Sequence, residues 1–150
     1  MKIITSNANW ENAPFVEFRD ENGDMLLIFE DKSSVLGNKV CVYDANENII
    51  FFLDEDVSEN MDAFSIQKDA DTLAVVKRTS HLVRREVLIE SKGSKYTFHM
   101  IQNTIMYENE KAAKLIRRMD NEEIKIELYK EDDVEFVLTM AYAVQLLLVR

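Results

Sequence analysis

The sequence predicts a mainly β fold, a closed barrel-type sheet with one hydrophobic α-helix at its C-terminal end. Three observations lead there. About eleven short apolar segments follow one another at hairpin spacing, separated by polar turns. Several of them alternate apolar and polar residues, the period of a strand with one buried face. From Asp132 the period changes, and Val134 to Val149 run almost without interruption as apolar residues.

Taken in order, Phe15–Arg19 and Met25–Glu30 flank Glu21-Asn22-Gly23-Asp24, whose Asn-Gly pair permits the positive φ of a tight hairpin. Lys39–Tyr43 and Ile49–Leu53 flank Asp44 to Asn48, and an acidic connection from Asp54 to Asp62 follows. Ala63–Gln67 and Thr72–Arg78 flank Lys68 to Asp71. Leu82–Glu90 and Lys95–Gln102 flank Ser91 to Ser94. Ile105–Tyr107 and Ala112–Met119 flank Glu108 to Lys111, and Ile124–Tyr129 is the last strand. Ile124, Ile126 and Leu128 share one face, opposite Lys125, Glu127 and Tyr129. Met25–Phe29 and Ile49–Leu53 are apolar on both faces, so their second face lies under other structure or meets a partner.

Asp132 and Asp133 suit a helix N-terminus and Arg150 a C-terminus, by capping and by the helix dipole. Between them Glu135, Thr139, Tyr142 and Gln145 fall in one sector, leaving about two-thirds of the circumference apolar. Such a helix is enclosed by protein, sits in lipid, or covers an oligomer contact. Sixteen residues span about 24 Å, short of the roughly 20 residues that cross a bilayer, which favours a core helix over a membrane anchor.

Length and composition fit one domain over residues 1–150, with strands from about 15 to 129 and the helix at about 132–150. Three glycines and one proline leave little for linkers. A formal charge of −10 argues against nucleic acid as a partner. The charge is uneven: residues 1–76 carry net −11, residues 77–118 net +6 and residues 119–150 net −5. A single cysteine, Cys41, excludes an intrachain disulfide and fits a reducing cytoplasm. The first fifteen residues lack the apolar core of a signal peptide. The abundance of Asn, Lys, Ile and Glu suggests a bacterial source.

Short strands followed by one apolar helix form an unusual order. Two units, KVCVYDANENIIFFL and AFSIQKDADTLAVVKR, repeat a strand, an Asp-containing turn and an apolar strand. A closing unit runs from IMYENEKAAKLIRRM to EIKIELYKEDDVEFVLTMAYAVQLLLV. From about Val35 to Val149 the chain resembles the tubby C-terminal-like superfamily, in its LURP-one-related branch, to which phospholipid scramblases are also similar. The resemblance implies a roughly 12-stranded barrel around the C-terminal helix, one strand more than the residues suggest. Tubby-type domains bind phosphoinositides and scramblase-like members are tied to membranes, but no headgroup-contacting position carries over to this chain.

Candidate chemistry is sparse. His81 lies near a hairpin turn and His99 in a strand, neither with a partner motif, and Cys41 between Val40 and Val42 reads as an inert thiol. Asp54, Glu55, Asp56, Glu59 and Asp62 lack the spacing and glycine of a calcium loop and read as a solvated connection. No phosphate loop, nucleophile elbow or zinc helix is present, so neither a metal, a cofactor nor a catalytic residue is expected. The basic band is the one feature with a binding role to offer. Lys77, Arg78, Arg84, Arg85, Lys114, Arg117 and Arg118 are its candidate contacts to an anion or lipid headgroup, against the alternative that they pair with the protein's own acids. The expectation is a non-enzymatic binding domain with a protein or lipid partner, homo-oligomerisation remaining open. Peripheral binding to anionic lipid and an enzyme without a recognisable motif are the alternatives.

Overall fold

The computed structural model describes residues 1–6, 15–32, 39–58, 61–80, 85–117 and 124–149. Among these residues are twelve strands and one α-helix. The strands are β1 Lys2–Ser6, β2 Phe15–Arg19, β3 Met25–Asp31, β4 Lys39–Asp44, β5 Ile49–Ser58, β6 Met61–Lys68, β7 Asp71–Ser80, β8 Arg85–Ser91, β9 Tyr96–His99, β10 Thr104–Tyr107, β11 Glu110–Arg117 and β12 Ile124–Leu128. The helix, α1, runs Val134–Val149. The strands form one antiparallel sheet in the order β8-β7-β6-β5-β4-β3-β2-β1-β12-β11-β10-β9. Each neighbour is next in sequence except where β1 joins β12, with Ile4 opposite Ile126. The sheet curls until its two end strands, β8 and β9, lie side by side. No ladder joins them, so the barrel is nearly closed.

The helix is the barrel's core. Every residue from Val137 to Leu147 is buried, including Thr139, Tyr142 and Gln145 of the less apolar sector. Around it, alternate residues of each strand point inward, Phe18 and Val16 from β2, Leu27 and Phe29 from β3, Leu53 from β5, Phe64 and Ile66 from β6. Strands on all sides reach α1. Phe29 of β3 stacks on Tyr142 at 4.0 Å, while Phe51 of β5 and Tyr96 of β9 meet Phe136 at 5.9 and 5.6 Å. Thr139 satisfies its hydroxyl within the helix by donating to the Glu135 carbonyl at 2.7 Å. No described helix is long and apolar enough to cross a membrane.

Three expectations need correction. The twelfth strand is β1, which contributes one fully buried apolar side chain, Ile4, too short a signal to register as alternation. The acidic run is not a solvated connection: β5 extends through Asp54, Glu55 and Asp56 to Ser58, paired with β6 from Met61. Of the run's acids, Asp54 meets Lys39 at 3.8 Å and Asp62 meets Arg78, while Glu59 lies outside the described residues. The segment Lys95–Gln102 is not one strand, since β9 ends at His99 and a turn carries the chain to Thr104.

Two hairpins share one turn design. Asp20 and Asp44 each accept, on Oδ1, the amides two and four residues on, at 2.9–3.0 Å. The fourth position of the turn has positive φ, +83° at Gly23 and +64° at Glu47. Glutamate pays a steric penalty there that glycine avoids. Glu47→Gly is therefore expected to raise stability by about 0.5–1 kcal/mol, read as a higher denaturant midpoint at unchanged slope.

Candidate functional site

The basic band does not converge on one surface among the described residues. Lys77 on β7 pairs with Glu90 on the neighbouring β8. Arg78 follows the inward parity of Ala74 and Val76, and its guanidinium is mostly buried at the end of the barrel. Its Nη2 donates to Asp62 Oδ2 at 2.6 Å and its Nη1 to the Leu147 carbonyl at 3.0 Å. Arg78 thus occupies one of the orphan carbonyls of the last turn of α1 with a positive charge, where the helix dipole favours a cation. Lys114 lies on β11, in register with Glu127 of β12. Around the barrel, β8, β9 and β10 stand between it and β7. Arg85 and Arg117 lie at strand ends with side chains outside the described residues, and Arg84, Arg118 and His81 lie outside them altogether.

Cys41 and His99 are set apart, on β4 and β9. Cys41 is a buried free thiol, and burial, aided by the Glu30 charge, pushes its pKa up. Its neighbour Glu30 is held below the usual carboxylate range by hydrogen bonds from Lys32 and Tyr43. A thiol in that environment is a poor nucleophile. Cys41 is expected to resist alkylation in the native protein and to be modified only as fast as the barrel opens, a rate measurable by mass spectrometry in increasing denaturant.

The opposite faces of β3 and β5 are apolar as expected and partly covered. On the outward face of β5 Phe52 remains 36% exposed, and on β2, beside β3, Phe15 is 51% exposed. At the mouth beside the N-terminus of α1, Tyr96 is buried against Tyr107 and Phe136. Its hydroxyl makes no hydrogen bond of ordinary geometry, yet it lies near enough to Asp133 that burial and this carboxylate together raise its pKa.

Among the described residues, one surface feature with the shape of a binding site is the seam between β8 and β9. A cleft of about 530 Å³ opens there, lined by Glu86, Val87, Leu88, Phe98, Met100 and Ile101 among others. That volume lies within the roughly 300–1,000 Å³ common for ligand pockets. Its rim exposes apolar side chains, Leu88 at 38% and Ile101 at 99%. His99 and Gln102 also line it, and among the described residues no lysine or arginine does. Of these residues, sequence reasoning weighed His99 alone as candidate chemistry and passed over the apolar lining. The available signal was Ile101 itself, a large apolar residue in a segment that now proves to be a turn.

No protein-family model matches the chain, and no curated protein matches it in sequence. The fold has a clear counterpart. The X-ray structure of a protein from Arabidopsis thaliana superposes with a TM-score of 0.63, covering 99% of this chain and 92% of that one, at 16% identity. The two share a fold, which in this chain is a 12-stranded, nearly closed antiparallel barrel with one C-terminal helix.

Proposed function

We propose that the chain is a non-enzymatic binding domain of the tubby-like, LURP-one-related type, acting in the cytoplasm and engaging a partner on its outer wall at the β8–β9 seam. The observation that carries this reading is the filled interior. Because α1 is buried from Val137 to Leu147, the space where a barrel would hold a ligand is taken up by the chain itself. Binding then falls to the outside, and the seam offers a cleft of ligand size with exposed apolar side chains. The twelve-strand order around a C-terminal helix supports the family reading, and the separation of Cys41 from His99 supports a role without nucleophilic chemistry. Anionic-lipid binding through the basic band ranks behind, since Lys77 and Arg78 are engaged by Glu90, Asp62 and the Leu147 carbonyl.

The test is a comparative pull-down from lysate of the native host. A partner recovered with the wild-type chain should be lost with Leu88→Asp plus Ile101→Asp and kept with Phe15→Asp, on the other wall. A partner retained by the seam variant and lost by Phe15→Asp places binding elsewhere and sinks the assignment. Flotation with phosphoinositide liposomes that carries the protein down its salt dependence would favour the lipid reading instead.

A further inference from the structure

We propose that the β8–β9 seam takes an extended and alternately apolar polypeptide segment of a partner protein as an added strand. This rests on the reading that the seam is the binding face, and it names what fits there. The backbone geometry of the seam carries the argument. The Tyr96 amide donates across it to Ser91 Oγ at 3.0 Å, and the Val87 amide donates across it to Met100 Sδ at 3.2 Å. Four residues back along β8 from Ser91 correspond to four residues forward from Tyr96, so both contacts belong to one antiparallel register. The two strands thus face each other as a hairpin would. In these two contacts, however, side-chain atoms receive the amides where a ladder would supply carbonyls. At the Val87 end the acceptor is a thioether, among the weakest a protein offers.

That end is where the cleft opens. The edges of β8 and β9 not used by β7 and β10 border it, since no ladder joins the two strands. A strand edge recognises extended backbone, which returns a carbonyl for each amide, and alternate side chains of the guest fill apolar pockets. Here Phe98 lies inside and Leu88 and Ile101 stand at the rim. Among the described residues the lining contains one carboxylate, Glu86, and neither lysine nor arginine. Met100, flexible and polarisable, plugs the opening and is the side chain best suited to give way.

The experiment is a ¹⁵N NMR titration of the full chain with an end-capped eight-residue peptide alternating valine and threonine. Two further peptides are N-methylated on alternate residues, one in each phase. The expected result is saturable shifts centred on the amides of Val87, Ile89 and Phe98. Affinity should fall about tenfold or more for N-methylated peptides and for Leu88→Asp plus Ile101→Asp. Met100→Ala should bind more tightly than wild type. Full affinity for both N-methylated peptides would show an apolar pocket indifferent to backbone and overturn the proposal. No binding by wild type and Met100→Ala alike would overturn it too, as would concentration-dependent shifts of the same amides without peptide, which assign the seam to a second copy. If the pull-down maps a partner to Leu88 and Ile101 while the peptide fails, strand addition is wrong and the binding face stands.

Discussion

Deleting Leu146–Arg150 is expected to leave the chain unfolded at 25 °C. The deletion removes Leu146 and Leu147, both buried in the barrel, and the carbonyl that Arg78 holds. Each such leucine costs about 2–5 kcal/mol when cut back to alanine, and a domain of this kind has only about 5–15 kcal/mol in hand. The loss is not local. The barrel wall has no other core to collapse on, because its inner side chains pack on α1 from β3, β5 and β9. Leu147→Ala alone should keep the fold and lower stability by about 2–5 kcal/mol. Far-UV circular dichroism and urea titration check both. A deletion variant with an unchanged melting temperature is incompatible with an enclosed helix.

The second large effect is at Arg78. Arg78→Met is expected to cost about 3–5 kcal/mol, because it strands the Asp62 carboxylate in a partly buried place and frees a carbonyl at the end of α1. A double-mutant cycle separates the two parts. Asp62→Asn in the Arg78→Met background should recover the share due to the unpaired carboxylate, while the share due to the helix end should persist. A solvent-exposed arginine would instead show about 0–1 kcal/mol and near-additive behaviour. This measurement also bears on the basic band. It asks whether Arg78 belongs to the fold or to a surface.

Much of the fold was legible because its signals are periodic. The change at Asp132 from alternation to an unbroken apolar run marks α1 within two residues of its start, and the Asn22-Gly23 turn appears where the pair predicts it. What escaped has physical causes. β1 shows little because five residues carry one deeply buried apolar side chain, and its place is set by pairing with β12 at the far end of the chain. Asp54 to Asp56 read as loop because charge density outweighed the hairpin that extends β5. Charge tolerated by partners such as Lys39 and Arg78 is a tertiary fact. The basic band read as a candidate surface because sequence gives charge without direction. Strand parity turns Arg78 inward and the ladder brings Lys77 to Glu90. The seam was invisible for a related reason. β8 and β9 are consecutive strands, and nothing in consecutive strands announces that their hairpin is held by Ser91 and Met100 side chains.

The central claim is that α1 is the core on which the whole barrel closes, and native-state hydrogen exchange of its amides tests it most directly. Amides from Leu138 to Leu147 should exchange only through global unfolding, with opening free energies equal to that from urea denaturation and the same denaturant dependence. Exchange of these amides through a local opening several kcal/mol cheaper, insensitive to denaturant, would contradict it.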